Sequence, residues 1–278
     1  GKEMAMGMTA AKLLPAKKQS ETIGHKRRYE TLCRVLDSIC AEAPLSLTEY
    51  HPPSTNPDAR IQARSRALLH LYLKAKFGLI NFSDRERYIT DGKFDGGIDA
   101  YFIDKRTKHI HILQAKFRAT ADNFASSDFT ASDLLKMDVA RILKDGEKKD
   151  GKGNRYNDKI IRHLVKDFQQ VLDIANYTTK VVILGNNKQF TEKEIGRLVD
   201  GYPVDQLPHD RIYSELMFPV VNGTYFSDPD LMIEISYEGN LQQVEHRVKA
   251  DNVKTTISLY FVPTSEIGRI MNLYKNSL

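Results

Sequence analysis

The stretch Asp91-Gly-Lys-Phe-Asp95-Gly-Gly-Ile-Asp99-Ala, followed by Gln114-Ala-Lys116, sets carboxylates, an amide and an ammonium within a short span. A carboxylate, an amide oxygen and an ammonium converging on one face suit a hard divalent cation and its bound water. Mg²⁺ takes oxygen ligands, keeps several waters, and is often held by one or two carboxylates together with substrate phosphate. A lysine beside such an ion can orient an attacking water or steady the charge that develops on a phosphodiester.

The elements that must position these residues can be read around them. Asp99 sits where a strand over 98–103 begins, and Gln114 lies fifteen residues later on a second strand over 109–117. That interval leaves room for a strand, a hairpin loop at 104–108 and the return, which brings the acid beside the middle of the neighbouring strand. Alternation along the second strand projects Gln114 and Lys116 to the side of Ile110 and Ile112, and His109, His111, Leu113 and Phe117 to the other. Gly96 and Gly97 signal a tight backbone path into the first strand.

Flanking periodicity predicts an amphipathic helix over 25–42, carrying Tyr29, Leu32, Cys33, Leu36 and Ile39 at three- and four-residue steps. A second helix runs from a cap at Asp58 to Phe77 and ends at Gly78. A short strand at 87–90, helices over 132–144 and 158–176, and a buried strand over 179–184 follow. Beyond Gln189 the pattern predicts a helix over 191–199, strands over 231–237 and 256–262, and a closing helix over 266–274. This order reads as an α/β fold with a central mixed β-sheet flanked by helices.

Composition narrows the classes. The 278 residues carry 41 Lys+Arg and 36 Asp+Glu, and 41% hydrophobic content with 28% charged is ordinary globular composition. No apolar run approaches the roughly 20 residues that cross a bilayer, and the first residues lack a signal-peptide core, so a cytoplasmic protein is expected. Cys33 and Cys40 cannot build a disulfide scaffold and read as buried thiols. The net charge of +5 belongs to the first 36 residues, which hold eight bases and three acids. The remainder is neutral but polarised. Residues 136–166 hold ten bases and five acids, whereas 192–245 hold three bases and eleven acids. Solvated faces explain most charge runs. The basic run directly follows the candidate strands, so Lys148, Lys149, Lys152 and Arg155 are candidates for contact with nucleic-acid phosphates.

Asp99 with Gln114-x-Lys116 on consecutive strands resembles the PD-(D/E)XK nuclease superfamily, in the Mrr-like variant where Gln replaces the second acid. The longer Asp91–Ala100 pattern is similar to the N-terminal region of AIPR (abortive infection phage resistance) proteins. The segment Ile257-Ser-Leu-Tyr-Phe-Val-Pro263-Thr-Ser-Glu266-Ile267 resembles that family's strand, Pro and Ser-Glu-led helix. The resemblance implies a restriction-endonuclease-like core over 25–189 behind a basic arm over 1–24. An α/β C-terminal extension over 190–278 would follow, in a chain that normally continues further. It implies a Mg²⁺- or Mn²⁺-dependent endonuclease, acting on DNA more than RNA, in anti-phage defence with partner proteins of that system. Duplex cleavage needs two sites, which makes a homodimer an expectation. Carried over by residue, Asp99 and Gln114 would hold the metal and Lys116 would be the catalytic lysine. Asp95 is near enough to bind a second ion or orient the first. The superfamily often adds an acid from the preceding helix, and here that helix has none after Asp58; Glu30 or Glu86 could substitute.

Blander readings stand beside these. Asp-Gly-Gly-Ile-Asp alone is an ordinary capped turn. His109-x-His111 points away from Gln114 and no third ligand is evident, so it reads as a partly exposed or core pair. Gly185-Asn-Asn lacks the Gly-Lys-Ser/Thr of a phosphate loop. The rival function is a catalytically silent module of the same fold that binds nucleic acid or a partner protein.

Overall fold

The computed structural model describes residues 16–225, 244–250, 253–260 and 262–273. Helices α1 (Ala16–Ala41), α2 (Pro57–Phe77) and α3 (Phe82–Glu86) precede a hairpin of strands β1 (Ala100–Asp104) and β2 (His109–Ala115). Short helices α4 (Ala121–Ser126) and α5 (Ala131–Leu135) follow, then two widened π-helical turns, Ala140–Lys144 and Ile160–Val165, the second running into α6 (Lys166–Gln169). Strand β3 (Thr178–Leu184), helix α7 (Glu192–Leu198) and strand β4 (Val204–Leu207) complete the sheet. Helical turns α8 (His209–Arg211), Ile212–Met217 and α9 (Phe218–Asn222) come next, followed by a separate hairpin of β5 (Val244–Ala250) and β6 (Val253–Leu259) and by helix α10 (Thr264–Leu273).

The four-stranded sheet has the order β1-β2-β3-β4, antiparallel between β1 and β2 and parallel thereafter. The fold is therefore α/β with a mixed sheet covered on both faces. Alternation along each strand divides the core in two. Ala100, Leu113, Val182, Leu184 and Leu207 pack with α1, α2 and the Ile212–Met217 turn. Tyr101, Ile110, Ile112, Val181 and Ile183 pack with Leu134, Ile142, Ile160, Leu164 and Ile195. Because both faces are buried there, residues 181–184 of β3 read as a continuous apolar run. Helix α2 is buried at every position from Ala67 to Leu73, because it lies between α1 and the sheet.

Several sequence expectations meet corrections here. Asn56, not Asp58, caps α2: its side chain accepts from the Ala59 N–H at 3.0 Å, with Pro57 in the first turn. Gly78 ends that helix as expected, with φ +68 and its N–H on the Lys74 carbonyl. The strand expected at 87–90 is a single bridge, Ile89 to Ala100, after the unexpected helix α3. The helix expected over 132–144 breaks at 136–138, where the Asp138 N–H is taken by the Gly96 carbonyl at 2.8 Å. The helix over 158–176 stops at Gln169 and resumes only as a 3₁₀ turn at Ile174–Asn176.

The expected boundary at 189 falls inside the sheet, since β4 pairs with β3 and α7 supplies Ile195 to the second core. The expected arm over 1–24 is helical from Ala16. The strand at 231–237 lies outside the described residues. Cys40 is buried and Cys33 partly so, both as free thiols. Among the described residues no helix is long and apolar enough to cross a membrane.

Candidate metal centre

The β1–β2 register pairs Ala100 with Leu113 and Tyr101 with Ile112. One step back, the Asp99 N–H donates to the Leu113 carbonyl at 2.9 Å, so Asp99 extends the ladder and stands opposite Gln114. The side chains of both residues take the face of Tyr101 and Ile112, as strand alternation predicts. Asp99 Oδ2 then accepts from the Ala115 N–H at 2.8 Å, which fixes the carboxylate across the hairpin.

The loop leading to Asp99 is folded around its own acids. Asp95 accepts from the Gly92 N–H at 3.0 Å and the Gly97 N–H at 2.8 Å. Gly97 has φ +70, and a Cβ there would meet the Lys136 carbonyl oxygen at 2.7 Å, so only glycine fits without displacing backbone. Phe94 has φ +60, a left-handed conformation that costs a bulky residue about 1–2 kcal/mol. This tight path brings one carboxylate oxygen each of Asp91, Asp95 and Asp99 within 4.8 Å of one another.

Crowding shows in the protonation of these groups. Burial, and then the neighbouring Asp91 and Asp95 carboxylates, push Asp99 well above the ordinary carboxylate range, against the Ala115 N–H and Lys116. Burial likewise pushes Asp95 up to about 6, against its backbone hydrogen bonds. Gln114 is 9% exposed and its Nε2 donates to the Asp133 carbonyl at 3.3 Å, while its Oε1 is buried with no hydrogen-bond partner. An orphaned buried acceptor costs about 1–3 kcal/mol. A cation with oxygen ligands would neutralise the crowded carboxylates and give this amide oxygen a partner. The donor set of carboxylates and one amide oxygen fits a hard ion such as Mg²⁺ or Mn²⁺ and lacks the nitrogen or sulfur that zinc prefers.

Lys116 lines the same cleft, of about 440 Å³, as Asp91, Asp99 and Gln114. Its Nζ contacts Asp133 Oδ2 at 2.5 Å and lies 5.4 Å from the centre of the Phe129 ring. Asp133 also accepts from Thr130 at the start of α5. Burial raises the Asp133 carboxyl, but Lys116 and the Thr130 groups outweigh it and hold it down at about 2. Helix α2 adds Gln62, Ser65 and Arg66 to the cleft wall, and Arg66 Nε pairs with Asp91 Oδ2 at 2.6 Å. A second cleft of about 500 Å³ meets the first at Asp99 and Gln114 and is walled by the Phe94–Gly97 loop and by residues from Asp133 to Tyr156.

Asp99, Gln114, Lys116 and Asp95 are thus brought together. Glu86 is not. It accepts from Tyr50 and lies 3.2 Å from His70 Nε2 and 2.9 Å from Lys159 Nζ, in a buried network that Arg85 extends to Glu42. Those hydrogen bonds hold Glu86 at about 2 despite burial, so it is already committed to structure. Glu30 is exposed on α1 and lines neither cleft. Of the basic candidates, Lys152 lines the second cleft, Lys148 and Lys149 are exposed on the same turn, and Arg155 pairs with Asp158 at 2.8 Å. The histidine pair sits apart: His111 is buried against Phe77 and Tyr72, and burial lowers it to about 3.

Sequence reasoning missed Asp91, Arg66 and Asp133 as members of the centre. The four-residue spacing of Asp91, Asp95 and Asp99 was a usable signal for the first. Thr130-x-x-Asp133 marks a capping box, but nothing local announces its contact with Lys116. No protein-family model matches the chain, and no curated protein or solved structure matches it either.

Proposed function

We propose that the protein is a Mg²⁺- or Mn²⁺-dependent endonuclease with a PD-(D/E)XK-type centre. The observation that carries this reading is the unpartnered, buried Gln114 Oε1 opposite the crowded Asp99 carboxylate. Asp99 and Gln114 would hold the metal, with Asp91 and Asp95 completing or extending the oxygen shell. A divalent ion held by these residues would supply Lewis-acid chemistry, acidifying a water and polarising a phosphate oxygen. Lys116 places an ammonium at the mouth of the same cleft, where it orients the nucleophilic water and balances charge building on the phosphate. Asp133 pairs with that ammonium and holds it in place, so it is a positioning residue. Arg66 supplies a second cation facing the cleft, held by Asp91.

DNA is the substrate favoured over RNA, with phosphate contacts supplied by the 148–155 turn. Resemblance of Asp91–Ala100 and the Ile257–Ile267 segment to AIPR proteins supports a role in anti-phage defence, in the cytoplasm and with partner proteins of that system. A homodimer would place two centres on one duplex. A plasmid-nicking assay with Mg²⁺ or Mn²⁺ tests the activity. Wild type should nick, and Asp99→Ala and Lys116→Ala should each lose at least about 100-fold. Cleavage that survives both substitutions refutes the site, and plasmid binding without any nicking favours the silent module.

A further inference from the structure

Phe94 is an aromatic side chain with no structural role that explains it. It is 42% exposed and belongs to neither hydrophobic core. Its backbone is held left-handed at φ +60, and its carbonyl accepts from the Asn157 N–H at 2.9 Å, so the ring is presented by an anchored loop. A bulky residue in this conformation at a functional cleft is strain that the surrounding structure sustains. Lys93 Nζ lies 4.9 Å from the ring centroid, which puts a cation beside the π-face.

The cleft that Phe94 lines also contains Asp99 and Gln114, and the ammoniums of Lys136 and Lys152. Neither lysine has an ion-pair partner among the described residues. The acids around them are engaged. Asp138 accepts from the Tyr156 hydroxyl at 2.7 Å, Asp150 from the backbone N–H groups of Lys152 and Asn154, and Asp133 pairs with Lys116. An exposed ring with Lys93 over it, two lysines without an ion pair and the Asp99–Gln114 centre, set in adjoining clefts, match the recognition of a polyanion that carries flat, apolar faces. A single strand of nucleic acid combines both properties.

We infer that Phe94 is a stacking platform for one nucleobase of a single-stranded or locally opened strand. Lys93, Lys136 and Lys152 would grip the flanking phosphates, and the adjoining linkage would lie over Asp99 and Gln114. The inference rests on the reading of this centre as a nuclease and names the form in which the strand enters it. Stacking makes no demand on base identity, so the platform tolerates all four bases and requires only that one be free of its neighbours.

Binding of two labelled oligomers of equal length and charge tests this, with Ca²⁺ in place of Mg²⁺ to prevent turnover. One is single-stranded DNA and the other its abasic counterpart, both read by fluorescence anisotropy. Wild type should bind the base-bearing strand more tightly. Phe94→Leu, which keeps apolar bulk without a π-face, should weaken that strand by about 10-fold or more and leave the abasic oligomer unchanged. Phe94→Tyr should restore wild-type affinity. Phe94→Leu that binds both oligomers as wild type does, or loses both equally, overturns the stacking role while leaving the nuclease reading intact. Wild type that binds neither oligomer overturns the nucleic-acid reading and the inference with it.

Discussion

At the scale of single residues, opposing demands on charge separate the functional groups from the structural ones. Glu86 and Asp99 are both partly buried carboxylates, but Glu86 collects hydrogen bonds from Tyr50, His70 and Lys159 and is held low. Asp99 is pushed high by burial first and then by two further carboxylates. A buried carboxylate pushed high beside a cleft is a candidate site for a ligand's charge. His111 is the structural counterexample. Burial first, and then Lys180, lower it from 6.5 to about 3, so the folded protein keeps it neutral where the unfolded chain takes up a proton. The sign follows from linkage: stability from this residue is full above pH 6.5 and is lost as pH falls toward 3, at up to about 1.4 kcal/mol per unit. Urea melts of His111→Leu and wild type between pH 4 and 7 should therefore show a shallower acid decline in the variant. Parallel declines would mean that His111 is not held neutral.

At the scale of elements, the hairpin was legible and its surroundings much less so. Strand alternation and the fifteen-residue interval placed Asp99 opposite Gln114, because a short hairpin between two strands leaves little freedom of register. Strand β3 was legible for the same physical reason, a run of β-branched residues buried on both faces. The short strand β4, with Asp205 and Gln206 at its middle, carries no apolar alternation, and only its pairing with β3 defines it. The 132–144 segment has helical periodicity, but its backbone at Asp138 is claimed by Gly96, a contact between distant segments. That contact ties the Gly96–Gly97 turn of the Asp91–Asp99 loop to the chain just ahead of the Ala140–Lys144 turn. Gly97→Ala would force a Cβ against Lys136 backbone at a left-handed position, and should destabilise by more than about 1 kcal/mol. The variant should also lose metal-dependent stabilisation, because the backbone shift that the Cβ forces moves the N–H that holds Asp95. Thermal melts with and without Mn²⁺ check this, and an unchanged midpoint with an intact metal response would contradict it.

At the scale of the whole molecule, the sheet sets where the chemistry can occur. Asp99 and Gln114 stand at the end of the β1–β2 hairpin where α2, the Asp91–Asp99 loop and the Asp133–Tyr156 segment converge. Two clefts meet there, sharing Asp99 and Gln114. The basic total of the chain said little about this, since its excess lies in the first 36 residues, whereas the proposed phosphate contacts are those of the 148–155 turn and the lysines of the clefts. Reversing Lys148, Lys149 and Lys152 to Glu should flatten the salt dependence of DNA binding, by about 0.9 in the log–log slope for each phosphate that the protein no longer neutralises. An unchanged slope would remove that turn from the nucleic-acid path.

The central claim is that the Asp99–Gln114 pair holds a divalent cation, and Mn²⁺-dependent thermal stabilisation tests it most directly. Saturating Mn²⁺ should raise the melting temperature of wild type, by an amount set by about 2.7 kcal/mol at a hundredfold excess over Kd. Gln114→Leu, which removes the orphaned oxygen, should fold and lose most of that rise. Gln114→Glu, which adds a carboxylate in the same place, should be less stable without metal and respond to Mn²⁺ at lower concentration. Identical Mn²⁺ titrations for wild type and both variants would contradict the claim.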